Sequence, residues 1–234
     1  MKQVEEGKLT VRAVERALDL LLCFTEETEL GLMELAGRTG LHKSTVHRLL
    51  ATLESKGFVK RNPTTDKYRL GFRVWELSAH LTRNSDPERV LLPELEHLRD
   101  VVEETVSLYV RDGLERVRIQ AVQSNQPVRR VAPVGERLPL YVGASSKVLV
   151  AFADPEVRQQ VLDPARWPEG LDREGFRRQL DEVQLKGYAI SVEEREVGAA
   201  AVSVPIFNPA NQFAYALAVS GPSNRLTVEK MIEL

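Results

Sequence analysis

The sequence predicts an α+β protein in two units: a small helical unit closed by a β-hairpin, then a larger unit of mixed strands and helices. Three observations carry that reading. Val46, Leu49, Leu50 and Leu53 recur at helical spacing within residues 41–57. Two short β-rich runs, residues 58–61 and 67–70, flank the turn segment Asn62-Pro63-Thr64-Thr65-Asp66. From Thr105 onward the apolar period shortens from three and four residues to two.

Taken in order, Thr10 is placed to cap a first helix reaching about Phe24. Val11, Val14, Leu18, Leu21 and Leu22 are expected to form its buried face, with Arg12 and Arg16 off it. Cys23 falls in the same stripe and reads as core filler. A lone cysteine forms no intrachain disulfide, which fits a reducing, cytoplasmic setting. Residues 26–30 are a polar break. Leu32, Leu35 and Ala36 mark a short second helix ending between Gly37 and Gly40, and the helix of residues 41–57 follows the Gly40 turn and stops at Gly57. Helix, tight glycine turn, amphipathic helix is the helix-turn-helix pattern.

On that last helix Ser44, His47, Arg48, Ala51 and Ser55 point away from the apolar stripe, and no acid occurs before Glu54. A slender, donor-rich face of this kind fits a DNA major groove. The alternative is an ordinary amphipathic surface helix, and the neighbouring residues decide between the two. The hairpin that follows carries Lys60, Arg61, Lys67 and Arg69, which makes it a basic wing. Residues 40–73 hold eight basic residues against Glu54 and Asp66, while residues 81–234 carry an acidic excess and the whole chain is at −2. A polyanion partner is therefore expected for the first unit only. The candidate DNA contacts are His42, Lys43, Ser44, Thr45, His47 and Arg48 on the helix and Lys60, Arg61 and Lys67 on the wing. His42 and His47 stand five apart with no cysteine or acid beside them, so phosphate or base contact suits them better than a metal.

Phe72, Trp75, Leu77 and Leu81 are too apolar for a free linker. They read as a connecting helix that packs on a second subunit, ended by Asn84-Ser85-Asp86-Pro87. The expected division is residues 1–71, a linker helix over 72–86, and a second domain over 87–234. In that domain Leu91, Leu95, Leu98, Val101 and Val102 give a helix. Residues 106–110 and 117–122 alternate about an Asp112-Gly113 turn. Residues 135–143 read as a loop around Pro139. Residues 145–152, 155–162 and 172–186 read as helices, the last ending at Gly187. Residues 188–192 read as a strand, and 199–207 and 213–220 as β-rich runs about Asn208-Pro209-Ala210-Asn211. Thr227 opens a helix inside which the sequence stops, so the native chain is expected to run on past Leu234.

No apolar run approaches the length of a membrane span, and the charged N-terminus lacks the apolar stretch of a signal peptide. The nucleophile-elbow, dinucleotide-binding and P-loop glycine patterns are missing from the sequence. Glu193 and Glu194, as strand neighbours, point to opposite faces and read as a solvated turn. Ser145, Ser146 and Lys147 at a helix start do not face one another. No catalysis, cofactor or metal site is expected. Two rival readings, an enzyme with a helical oligomerisation domain and a protein-interaction module, are disfavoured by the missing constellations and by the basic 40–73 segment.

Several short runs have a familiar order and spacing: Ala13-Val14-Glu15-Arg16-Ala17-Leu18, residues 41–50, Tyr68-Arg69-Leu70-Gly71, Leu138-Pro139-Leu140 before residues 146–152, Lys186-Gly187-Tyr188-Ala189, Glu193-Glu194 with Gly198, and Val219-Ser220-Gly221-Pro222. In these the chain resembles the IclR family of bacterial transcriptional regulators. The resemblance implies a winged helix-turn-helix domain, a linker helix and a GAF-like α/β effector-binding domain. It also implies homodimers or dimers of dimers on operator DNA and a small-molecule effector, an organic acid or an aromatic compound. Carried over by motif, the effector pocket falls on Ala144, Ser145, Ser191, Ala201, Ala218 and Ser220. The chain departs from the pattern where relatives that bind small acids have an acidic residue after the Gly-Tyr strand, since Ser191 and Val192 stand there. Ala201 and Ala218 also replace the strand cysteine or serine of some members. Hydroxyls and backbone N–H groups at a helix start can still hold a carboxylate. The expectation is an apolar pocket suited to a larger or aromatic effector, the alternative being that these small residues serve only close packing.

Overall fold

The computed structural model describes residues 10–83, 87–131 and 133–234, the side chains of 80–83 and 87–90 excepted. The chain divides into two compact units between Asp86 and Pro87. The expected break at Asn84-Ser85-Asp86 lies outside the described residues.

The first unit runs α1 (Arg12–Leu22), a 3-10 turn (Cys23–Thr25), α2 (Leu32–Thr39), α3 (Lys43–Ser55), β1 (Val59–Arg61), β2 (Tyr68–Leu70) and α4 (Phe72–Arg83). Its core is Leu20, Phe24, Leu30, Leu35, Val46, Leu50, Leu53, Val59 and Tyr68. Gly40 ends α2 at φ +65°, a left-handed turn that glycine adopts without steric cost. Glu34 reaches back to accept from the Gly31 N–H at 2.6 Å, closing the start of α2. The hairpin pairs Val59 with Leu70, Lys60 with Arg69 and Arg61 with Tyr68. Leu30 and Tyr68 exchange both backbone hydrogen bonds, at 2.8 and 2.9 Å, which ties the hairpin to the segment before α2.

Two expectations for α1 are corrected. Thr10 is not the cap; Val11 occupies that position and no side chain caps the helix. Val11, Val14, Leu18 and Leu22 are each more than half exposed. Of the expected face only Leu21 packs on the core, joined by Ala17, Leu20 and Phe24, which have the same three-and-four spacing. The helix thus has two apolar stripes, and periodicity alone does not say which one packs.

The second unit runs α5 (Pro87–Val102), β3 (Thr105–Asp112), β4 (Glu115–Val122), β5 (Arg137–Pro139), α6 (Ala144–Ala151), α7 (Pro155–Val161), α8 (Arg173–Lys186), β6 (Ala189–Val192), β7 (Ala199–Phe207), β8 (Phe213–Pro222) and α9 (Val228–Glu233). The strands form one antiparallel sheet in the order β5-β4-β3-β8-β7-β6. α6 and α8 cover one face, over Tyr109, Ala216 and Ala218. α5 and α9 cover the other, over Val106, Val202 and Val219. Residues 135–143 are not wholly a loop: Arg137–Pro139 pairs with β4 as an edge strand, a position that tolerates proline and is too short to show a period of two. Every residue of α6 is buried, Ser145, Ser146 and Lys147 included, because the sheet beneath offers alanine and serine and lets the helix sit close. No helix among the described residues is long and apolar enough to cross a membrane.

Candidate functional site

Two places in the chain have the chemistry to recognise something else, one in each unit. In the first, α3 presents Ser44, His47, Arg48, Ala51 and Ser55 to solvent while Val46, Leu50 and Leu53 anchor it. His42 caps the helix: its Nδ1 lies 2.8 Å from Ser44 Oγ and 3.4 Å from the Ser44 N–H. Ser44, Ala51 and Ser55 form a narrow central ridge. Lys43 and His47 flank it toward the hairpin, where they join Arg61 and Lys67 around a concave surface of about 400 Å³. Arg48 and half-buried Thr45 flank it toward α1, along a groove of about 710 Å³.

The wing cations are not equivalent. Arg61 pairs with Asp66 at 2.9 Å and lies 5.9 Å from the Tyr68 ring centroid. Lys67 pairs with Glu34 at 3.7 Å. That cation and the Gly31 N–H hold the Glu34 carboxyl below the usual carboxylate range, the N–H being the larger cause. Lys60 and Arg69 face each other across the hairpin and, like Lys43 and Arg48, have no acidic partner among the described residues. Arg69 is absent from the contact set expected from sequence. The register that brings it opposite Lys60 is the feature that singles it out.

In the second unit a cavity of about 60 Å³ lies between the start of α6 and the strands under it, and Ala144, Ser145, Ser191, Ala201, Ala218 and Ser220 all line it. Ala201 pairs with Ser191 on one side and Ser220 on the other, so these three share one row of the sheet. The expected apolar character is corrected, because Arg116, Arg118, Arg130 and Arg195 line the same cavity. These residues are distant in sequence, and residue-by-residue carry-over of a pocket motif does not find them.

Arg116 is 4% exposed. Its Nη1 donates to Val142 O at 3.0 Å and to Ser146 Oγ, and its Nε has no partner among the described residues. Burial pulls its guanidinium down to about 10, so it remains charged at neutral pH. A lowered value for a cation means that the folded chain holds the charge less well than water does. The penalty, roughly 3 kcal/mol, is present at all pH values below about 10 and fades only as the group deprotonates above that. Gly143 permits the arrangement: a Cβ there would lie 3.0 and 3.1 Å from the Arg116 Nη atoms. Ser107, the cross-strand neighbour of Ala218, holds the other buried side-chain polar atom without a partner among the described residues.

Arg118 is buried against Tyr109 and pairs with Glu136. Arg130 forks onto Glu196, and Arg195 reaches the same carboxylate at 3.0 Å. The 193–198 segment is an exposed turn with Arg195 half-buried, and its acids are nonetheless paired. Lys147, 3% exposed, pairs with Glu194 and donates to Ile190 O at 2.9 Å. Glu194 also accepts from the Gly143 N–H at 3.1 Å, and Glu193 accepts from Gly198 N and Ser223 Oγ. These exposed acids also clamp the segment beside the cavity.

Against known families, residues 13–63 match the IclR helix-turn-helix domain and residues 80–234 match the bacterial transcriptional regulator IclR C-terminal domain. The chain belongs to the IclR family. This IclR regulator has a helix-turn-helix DNA-binding domain and a C-terminal effector-binding domain. It is 31% identical over 229 residues to the HTH-type transcriptional regulator KdgR of Escherichia coli, covering 96% of this chain and 87% of that one. It is 32% identical over 222 residues to XynR of the same organism, covering 92% and 88%. Among solved structures, an IclR homolog from Microbacterium hydrocarbonoxydans complexed with 4-hydroxybenzoate superposes with a TM-score of 0.80 at 29% identity, covering 94% of this chain and 93% of that one. The regulator from Alicyclobacillus acidocaldarius gives 0.79 at 29% identity, covering 95% and 92%.

Proposed function

We propose that this IclR regulator is a cytoplasmic, non-enzymatic switch that binds a near-palindromic operator as a homodimer or dimer of dimers and releases or tightens on it when a small organic acid enters the 144–220 cavity. The observation that carries this is the pairing of an exposed, unneutralised recognition face on α3 with a separate unit that encloses a cation-lined cavity. His42, Lys43, Ser44, Thr45, His47 and Arg48 supply the groove contacts. Lys60 and Arg69, with Arg61 and Lys67, lie along the phosphate backbone. A mobility-shift titration on the DNA upstream of the chain's own gene, against random competitor, tests it. Equal affinity for both DNAs overturns it.

The wing prediction follows from charge. Lys60→Ala and Arg69→Ala are each expected to weaken binding to operator and random DNA alike and to reduce the slope of log affinity against log salt by about 1. Arg61→Ala is expected to do less, because Asp66 already neutralises it. Loss confined to operator would instead assign the wing to base reading.

The dimer rests on exposed apolar surface. Val11, Val14, Leu18 and Leu22 on α1, and Phe72, Trp75 and Leu77 on α4, are all more than half exposed. Phe72 and Trp75 stack at 5.0 Å, one apolar plate on the helix surface. Clustered exposed apolar side chains of this kind mark protein–protein contact surfaces, and one recognition helix reads too few base pairs for specificity. Trp75→Ala is expected to raise the dimer dissociation constant about 30-fold or more, as for an aromatic interface anchor. Light scattering across a dilution series measures it. A wild-type monomer at operator-binding concentrations would sink the dimer reading.

A further inference from the structure

Resting on the effector-pocket reading above, we infer that the effector is a compact dicarboxylate and that Glu196 holds the place of one of its carboxylates until it binds. Four guanidinium groups line the cavity against one carboxylate, that of Glu196. Glu136 neutralises Arg118 from behind. Glu196 is shared between Arg130 and Arg195, which leaves one of that pair and all of Arg116 uncompensated. Two unneutralised cations around one cavity call for a dianion rather than a neutral or singly charged ligand.

Unmet hydrogen bonding points the same way. Arg116 is 96% buried by its 4% exposure, touches no acid, and carries an Nε without a partner. Beside it the α6 start, Ala144 and Ser145, lines the cavity and presents the N–H groups of a helix N-terminus, which favour an anion. A buried guanidinium and a helix start that converge on one small space form one carboxylate subsite. The Arg130–Arg195 pair, already occupied by a carboxylate, forms the other.

The cavity is small, about 60 Å³. A ligand that displaces the Glu196 carboxylate inherits its space and its arginines. Displacement has a consequence for regulation. Glu196 lies in the 193–198 segment between β6 and β7, held at its other acids by Lys147, the Gly143 N–H and Ser223. Freeing Glu196 unlatches one corner of a clamped segment, so the ligand distinguishes two arrangements of it.

The test is calorimetric titration of the full chain with malonate, its neutral diamide malonamide, acetate and benzoate, with thermal unfolding as the check on folding. Malonate is expected to bind and malonamide not. Arg116→Met and Arg130→Gln are each expected to weaken malonate by about tenfold or more. Arg130 is partly exposed, so its variant reads out even where Arg116→Met misfolds. Glu196→Gln is expected to tighten malonate, since it removes the internal competitor. A merely structural ion pair would lower the melting temperature and leave affinity unchanged, and that result overturns the proposal. Benzoate binding without malonate, lost when the cavity wall at Ala218 is enlarged, would overturn the dicarboxylate and leave the pocket reading intact. No binding by any of the acids, with no effect of the Ala218 wall on operator response, would overturn both.

Discussion

Arg48→Ala is expected to weaken operator binding by about 1–3 kcal/mol, a 5- to 150-fold loss, and to relax base preference at one position in each half-site. The side chain is exposed on the α1 flank of α3 and has no acidic partner among the described residues, so no intramolecular pair must break before it reaches DNA. The helix beneath it is rigidly seated: Val46 and Leu50 are fully buried, and Thr52 Oγ1 closes on the Arg48 carbonyl at 3.0 Å. The planar fork of arginine matches guanine O6 and N7, which a lysine at the same place does not reproduce. Affinities on operator, on single-base variants of it and on random duplex separate the roles. Equal loss on operator and random DNA would reassign Arg48 to phosphate contact.

How much of this was legible in the sequence depends on the element. The α3 stripe reads correctly because one face of that helix is apolar and the other is not. α1 reads incorrectly because both of its faces are apolar: Val11, Val14, Leu18 and Leu22 keep the same period as Ala17, Leu20, Leu21 and Phe24, and only the docking of α2 and α3 chooses between them. The helix boundaries marked by Gly40, Asp172 and Gly187 are legible since each carries a local signal, a left-handed glycine or a capping carboxylate. β5 carries none. The row Ser191, Ala201 and Ser220 is found through motif resemblance, and its small side chains suggest an apolar space. The arginines that change this come from β4 and from two loops, and they converge only through strand pairing and the 193–198 clamp. Arg116 and Arg118, alternating on β4, look in sequence like the outward charges of a half-exposed strand. Both are in fact buried, Arg116 against Val142 and Ser146, and Arg118 against Tyr109, Pro133 and Glu136.

Ala218→Val is expected to abolish the effect of ligand on operator affinity while leaving ligand-free DNA binding in place. Regulation needs a ligand that binds the DNA-competent and incompetent states unequally, with a coupling of about 1–3 kcal/mol, or 5- to 150-fold in operator affinity. Ala218 is 4% exposed and lines the cavity beside Ser145 and Ser220. Two added methyl groups take up part of the small cavity that Ala218 lines. A leucine adds more bulk to a packed wall and forces the core apart, at a cost of about 1–3 kcal/mol. Valine also suits a strand, where β-branched side chains pack well. β8, which carries Ala218, lies wholly in the second unit, so the recognition surface on α3 keeps its own core. The measurement is operator affinity with and without the acid that binds best in the calorimetric panel, for wild type and variant, beside their melting temperatures. A variant that folds, binds operator and still responds normally would place the pocket elsewhere. A variant that loses the fold would mean that the alanines and serines of this row are there so that α6 can pack close to the sheet.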